Sequence, residues 1–509
     1  MTLERRDVLR GALGGAAWAT LGGNLGACGP TTLASAIPSD PFKAWFGIDR
    51  AVVDRVLAAL GSHGADAGDL YFQHTRTRSV SLEDGIVHAA STHVDAGVGL
   101  RVVVGEQTGY AFTEDLSEVA MIAAAKTAAS IARGQAIVPP VSATPTAYGG
   151  YYAIDVPWSQ VGIDLKLPLL RTLDAKVRAL DPSVTKVSVS WVDSEEKVLV
   201  ATLGGAMVVD ERPMSRLAAT VTMVRNGVTQ SNRGDFAGRR SLSWYTDAIL
   251  DELAAKAVDR TAILFDARRP PAGEMPVVLA AGASGILLHE AIGHGMEADF
   301  NRKNISIYAD MLGKKVAPDF VTIVDDATRE HERGALNVDD EGTPGQRTVL
   351  VENGVLASYL HDAISAKHYG IASTGSGRRE SFRHIVLPRM RCTTMENGPH
   401  TREEIIASVD RGIIAETFTN GQVQIGAGDF TFYIKNGWMI EGGKVTYPIK
   451  DVNIIGNGPE ALRNVMMAAD DSKLDSGGWT CGKDGQSVPV SQGLPTVLVS
   501  KLTVGGVDA

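Results

Sequence analysis

Two imidazoles bracket a carboxylate at His289, Glu290 and His294, inside the run Leu288-His289-Glu290-Ala291-Ile292-Gly293-His294-Gly295-Met296. Neutral imidazole nitrogens are good Zn²⁺ ligands, and a carboxylate beside them can take a proton from metal-activated water. The chemistry this points to is hydrolysis. The common zinc-hydrolase spacing, H-E-x-x-H, sets its ligands at i and i+4 on one helical face. Here the second histidine stands at i+5. Five residues of an ideal α-helix rotate by about 500°, so the two imidazoles would diverge by about 140°. One inserted residue in a π turn restores a facing geometry, and such turns concentrate at functional sites. The spacing therefore predicts a strained or ending helix at the metal, with Gly293 and Gly295 lowering the cost of the distortion. Glu297 and Asp299 follow at once. They read either as carboxylates supporting the ligand imidazoles or as solvated groups on the helix end.

The elements that must position this motif can be read from periodicity. Residues 276–280 form a short apolar strand that delivers the chain to the helix, with Ser284 as its N-cap. Helical spacing of apolar residues occurs at 49–60, 116–131, 163–180 and 243–260. Strand patterns occur at 71–80, from 86 onward, and at 98–104, 185–192, 197–202, 206–210 and 214–228. Short glycine-punctuated strands follow at 348–352, 355–360, 384–387, 431–435, 438–440 and 444–447. The fold class expected is α+β, with an N-terminal α+β region followed by a β-rich C-terminal domain carrying the metal helix. The expected units are a signal and tether at 1–36, an N-terminal α+β domain at 42–138, a central α+β domain at 146–265 and a C-terminal domain at 272–509. Residues 139–145 read as a linker.

The net charge of −10 and the lack of a basic tract argue against a nucleic-acid binder. Glu4-Arg5-Arg6-Asp7-Val8-Leu9-Arg10 resembles a twin-arginine export signal, with Glu4 and Val8 departing from the usual residues. The weakly apolar stretch at 11–27 is too short and mild for a stable membrane span. Leu25-Gly26-Ala27-Cys28 resembles a lipobox, which would make Cys28 the lipid attachment point; a competing cut lies after Ala36. On either reading the mature protein is exported, as a periplasmic protein or a membrane-anchored lipoprotein. Removing the leader leaves Cys392 and Cys481. They could form one disulfide, or one could be a thiolate ligand; counting does not choose.

Further blocks surround the histidine motif. They are Asp339-Asp340-Glu341-Gly342-Thr343-Pro344-Gly345-Gln346, the run Gly377-Arg378-Arg379-Glu380-Ser381-Phe382-Arg383-His384 with Pro388-Arg389-Met390, Ile455-Gly456-Asn457-Gly458-Pro459-Glu460, Cys481-Gly482-Lys483-Asp484-Gly485-Gln486, and Leu502-Thr503-Val504-Gly505-Gly506. Taken in order, from about residue 68 to the end, the chain resembles the TldD/PmbA metalloprotease family (peptidase U62), and within it the TldD-type subunit. The resemblance implies zinc held by His289, His294 and Cys481, with Cys392 outside the ligand set. Three protein ligands with a fourth position open are the catalytic arrangement of zinc. The resemblance further implies unfolded or short peptides as substrate, and a PmbA/TldE-like subunit as partner, with a homodimer as the fallback.

The expected function is that of a zinc metallopeptidase hydrolysing such peptides by metal-activated water, with Glu290 as general base. Arg378, Arg379 and His384 are candidate substrate or oxyanion contacts by charge alone. The rival from another class is a non-catalytic scaffold or binding lipoprotein of the same fold. A purely structural zinc and a solute receptor are the remaining alternatives. The intact His289, Glu290, His294 and Cys481 count against a degenerate copy.

Overall fold

The computed structural model describes residues 38–131 and 145–506. The export and lipidation readings at Arg5, Arg6, Cys28 and Ala36 lie outside these residues.

The first half is organised by one antiparallel sheet. Its strands are β1 (Ala67–Glu83), β2 (Ile86–Val104), β3 (Gln107–Thr113), β4 (Val184–Thr202), β5 (Met207–Arg225) and β6 (Val228–Gly238), in the order β3-β2-β1-β4-β5-β6. Four of these strands are 17–19 residues long, roughly 60 Å at about 3.3 Å per residue. That length lets one sheet carry two cores. At one end α1 (Arg50–Leu60) and α2 (Glu118–Ala129) pack Val53, Val56, Leu57, Met121 and Ala125 onto Leu70, Phe72, Leu100 and Leu199. At the other end α3 (Ile163–Leu180) and α4 (Asp247–Ala262) pack Leu170, Leu173, Val177, Leu253 and Ala257 onto Val80, Leu82, Trp191 and Val221. Ser117 and Thr246 cap α2 and α4 through their side chains, as short polar residues at that position do.

The expected strands at 185–192 and 197–202 fuse into β4, and those at 206–210 and 214–228 into β5 with a turn into β6. The polar run Ser194-Glu195-Glu196-Lys197 lies across the break expected between the strands at 185–192 and 197–202. In the sheet it pairs on both sides, with Thr77–His74 of β1 and Met214–Glu211 of β5. Gln73 also donates to Glu196 at 2.6 Å.

The second half is β-rich. β7 (Gly273–Leu279) joins a seven-stranded sheet, running parallel to Arg411–Gln424 on one side and antiparallel to Val497–Gly505 on the other. A six-stranded sheet is built from Val355–Leu356, Arg347–Glu352, Ile323–Asp326, Cys392–Met395, Ser491–Leu494 and Lys473–Leu474. The chain leaving β7 enters the shared core directly. Ile286, Leu287, Leu288, Ile292 and Met296 all lie buried in it, among Leu279, Ile413, Phe432 and Val497. The fold is α+β with a β-rich C-terminal region, as the patterns predicted.

Candidate metal centre

The metal helix changes pitch twice within twelve residues. It runs as α5 (Gly285–Leu288), then as a π turn over His289–Gly293, then as a 3₁₀ turn over His294–Met296, before α6 (Ala298–Arg302). The π turn supplies the extra residue that i+5 spacing requires, so both imidazoles face one centre. Their ring centroids lie 5.0 Å apart at 84°.

Glycine serves here in a way the sequence did not indicate. Gly293 keeps ordinary helical angles (φ −60°, ψ −49°). A Cβ at Gly293 would lie 2.1 Å from Met390 Sδ, and one at Gly295 would lie 2.7 Å from the Tyr308 ring. These glycines permit close packing of the helix rather than unusual dihedrals. Ser284 stands at the N-cap position, but its hydroxyl donates to Ala415 O at 3.0 Å, tying the helix to the Arg411–Gln424 strand instead of capping it.

Cys481 arrives from the far end of the chain on a tight hairpin. Strand Thr480–Lys483 pairs with Gln486–Pro489 across Asp484-Gly485, whose φ values of 49° and 73° suit the type I′ turn that two-residue hairpins prefer. His289, His294 and Cys481 are 2%, 4% and 1% exposed, and their ligand atoms all lie within 4.8 Å of one another. Both cysteines are free thiols. The disulfide alternative is therefore set aside: Cys392 lies buried in its own strand, where burial pushes its thiol well up.

The donor set fits zinc. Cys481 Sγ stands 3.5 Å from His294 Nε2, where ligand distances of about 2.1 and 2.3 Å in a tetrahedron give an edge of about 3.5 Å. His294 Nδ1 donates to Glu297 Oε2 at 2.9 Å, so Nε2 is the nitrogen that faces the thiol and would bind the metal. Among the described residues the buried Nδ1 of His289 has no hydrogen-bond partner. Burial would by itself push the Cys481 thiol up, but His289 and His294 outweigh it and hold the thiol well below its usual value. Burial likewise opposes charge on His294, and Glu297 with Cys481 overcomes it, raising that imidazole well above its ordinary range.

Glu297 is fully buried, yet Lys483 and His294 hold its carboxyl down to about 2 against the cost of burial. Lys483 Nζ stands 3.1 Å from Glu297 Oε2 and 2.7 Å from Asp299 Oδ1. Glu297 and Asp299 are thus buried behind the imidazoles rather than solvated. Lys483 and Arg389 were not singled out from the sequence. The signal for Lys483 was available: in a strand, residues two apart share a face, and Cys481 and Lys483 are both buried. Arg389, whose Nη2 donates to Cys481 O at 2.6 Å, offers no such signal.

Glu290 is the exception to this burial. Its side chain is 23% exposed and its Oε2 lies 4.0 Å from His294 Nε2. The carboxylate stands beside the ligand atoms with a path to solvent, the geometry a general base needs.

The three oxyanion candidates are placed elsewhere. Arg378 is buried and donates to Met390 O at 2.6 Å and Pro489 O at 2.8 Å. Arg379 donates to Asp69 Oδ1 at 3.0 Å and Asp340 O at 3.1 Å. His384 Nδ1 pairs with Ser381 Oγ at 3.0 Å. Both guanidiniums find carbonyls or carboxylates within the chain, as buried guanidinium groups must.

Three family descriptions match the chain in order: PmbA/TldA metallopeptidase domain 1 at residues 68–132, the central domain at 156–265 and the C-terminal domain at 272–506. The chain belongs to the PmbA/TldD family of metallopeptidases. It is 40% identical to a protein named metalloprotease TldD homolog from Haemophilus influenzae, over 87% of this chain and 93% of that one. It is 29% identical to a zinc metalloprotease TldD homolog from Saccharolobus solfataricus, over 67% and 76% of the two chains. Among solved structures it resembles a putative modulator of a DNA gyrase from Thermotoga maritima (TM-score 0.71, 21% identity, covering 89% and 99%). It also resembles TldE from Thermococcus kodakarensis (TM-score 0.66, 19% identity, covering 89% and 100%). These two likenesses establish the fold.

Proposed function

We propose that this protein is a zinc metallopeptidase acting on unfolded or short peptides, with His289, His294 and Cys481 as ligands and Glu290 as general base. The observation that carries this reading is the convergence of two imidazoles and a thiol, from positions nearly two hundred residues apart, beside one partly exposed carboxylate. The names of the relatives and of the family support it. When bound, zinc supplies Lewis-acid polarisation of the scissile carbonyl and acidifies water. Glu290 takes the proton of the attacking water and returns it to the leaving amine. Glu297 holds the His294 tautomer that presents Nε2. A three-ligand set matches catalytic rather than structural zinc, which is normally closed by four.

The assembly and location are part of the same proposal. A PmbA/TldE-like subunit is the proposed partner and a second copy of this chain the fallback. Export by the twin-arginine route, with a lipid on Cys28 or a cut after Ala36, would place the enzyme outside the cytoplasm. Among the described residues no helix is long and apolar enough to cross a membrane.

The test is cleavage of an unfolded peptide mixture by the zinc-loaded chain beside Glu290→Ala. The native chain is expected to cleave. The variant should retain zinc and lose about 10²–10⁴-fold in rate, the usual contribution of a general base. Zinc bound without cleavage by the native chain, alone and with a PmbA-type subunit added, would replace this reading with a binding role.

A further inference from the structure

The two ligand-bearing elements meet a second time, behind the ligand atoms. Lys483 lies two residues beyond Cys481 on the same buried face of the hairpin strand, with its side chain 2% exposed. Its ammonium stands 2.7 Å from Asp299 Oδ1, 3.1 Å from Glu297 Oε2 and 3.1 Å from Pro388 O. Two of these contacts are hydrogen bonds, to Asp299 and Pro388 O, and the third is an ion pair with Glu297. The face of the Phe300 ring lies 4.1 Å from the same nitrogen.

These contacts close a ring. Cys481 Sγ faces His294 Nε2 at 3.5 Å; His294 Nδ1 meets Glu297 Oε2 at 2.9 Å; Glu297 Oε2 meets Lys483 Nζ at 3.1 Å. The backbone from Lys483 to Cys481 completes the circuit. Arg389 braces the same hairpin through Cys481 O. A histidine held only by Glu297 would have its orientation fixed relative to its own helix. Lys483 fixes it relative to the thiol, which comes from a separate element.

We propose that Lys483 is a positioning residue of the metal centre: its ammonium locks Glu297, and through it the His294 imidazole, onto the hairpin that carries Cys481. The role rests on the reading of this site as a zinc site. It adds a specific device, a cation that sets the distance between ligands from two elements so that little ordering remains when metal binds.

The experiment measures zinc affinity of the purified full chain by competition with a chromophoric chelator, together with the visible and near-ultraviolet spectrum of the cobalt(II)-substituted protein. Lys483→Met is compared with the native chain and with Lys501→Met, which removes a lysine from an exposed pair with Glu274. Lys483→Met is expected to weaken zinc binding about 10–100-fold, the usual effect of losing a partner behind a ligand, and to shift the cobalt–thiolate band. Lys501→Met should do neither. In the Glu297→Gln/Lys483→Met double variant the loss should stay close to that of the worse single change, because both cut one link. Should Lys483→Met fail to fold, Lys483→Gln, which removes the charge but keeps a hydrogen-bond donor and leaves the Glu297–His294 contact in place, carries the same expectation.

Native-like affinity and an unchanged cobalt spectrum in the variant would overturn the role of Lys483 and leave the zinc site standing. A native chain that binds no zinc would overturn both. Zinc binding weakened in Lys483→Met, with no peptide cleaved by any form, would support the role and remove only the peptidase reading.

Discussion

Two clusters of buried charge sit in this chain, and they are built on opposite terms. Along the seam between the long sheet and the C-terminal domain, three guanidiniums are matched to carboxylates. Arg101 bridges Asp69 and Glu341, at 2.6 Å to each. Arg212 bridges Asp210 at 2.9 Å and Asp340 at 2.7 Å. Arg379 joins Asp69 and lies over the Tyr71 ring. Behind them Asp339 accepts three backbone N–H bonds, from Glu341, Thr343 and Gly377. At the metal centre the matched charges lie one layer back. Lys483 and Arg389 serve Glu297, Asp299 and a carbonyl, while Sγ and the imidazole nitrogens in front converge on one another. Burial of charge is common to both and does not separate them. What separates them is whether each donor or acceptor finds its opposite inside the chain: matched charge holds a seam, and convergent ligand atoms mark chemistry.

The contrast can be broken most decisively at Cys481. Cys481→Ala should abolish tight zinc binding and peptide cleavage, yet leave the far-ultraviolet circular dichroism and the seam intact. A chain that unfolds on losing this thiol or on chelation would make the zinc structural instead. Next in size is Arg379→Met, which takes from Asp69 one of its two guanidinium partners and from Asp340 O its donor. It should cost about 1–3 kcal/mol in denaturant unfolding, as for buried groups left short of a partner, and leave the zinc affinity of the folded fraction within a few-fold of native. A large loss of affinity in folded protein would show that the two clusters are not independent.

Glu297→Gln should weaken zinc about 10–100-fold with a smaller effect on unfolding, the reverse of Arg379→Met. The smallest effect is expected at His361, on the segment between the clusters: Leu360 pairs with the metal helix and Glu341 accepts the Ala363 N–H. Burial pushes His361 down to about 4. The unfolded chain, with an ordinary value near 6.5, binds the proton first. The stability this residue contributes is thus complete above about pH 6.5 and is lost as the pH falls toward 4. The loss between pH 6.5 and 5 should be about 1.5 kcal/mol. His361→Gln should flatten that part of the stability profile; an unchanged profile would place the titrating group elsewhere.

Much of the site was legible because its signals are local or compositional. The i+5 spacing of His289 and His294 demanded a π turn, and one is there. The helices fell close to their predicted ranges, since apolar spacing and caps are local properties. Readings failed where a residue's fate depends on distant neighbours. The break expected between residues 192 and 197 is closed because strands on both sides pair with Glu195 and Glu196. Nor does the sequence show that Arg378 and Arg379 bond Met390 O, Pro489 O and Asp69, which only the fold brings to them.

By itself, the sequence determined the ligand types, the distortion of the metal helix and the α+β order of elements, because each follows from the chemistry or period of a few adjacent residues. Only the tertiary structure decided how Cys481, which the family resemblance already picks over Cys392, reaches the histidines, that Lys483 stands behind them, and that Gly293 and Gly295 make room for Met390 and Tyr308. Those outcomes turn on distances between segments far apart along the chain, which close packing of two sheets around one helix fixes and no local pattern encodes.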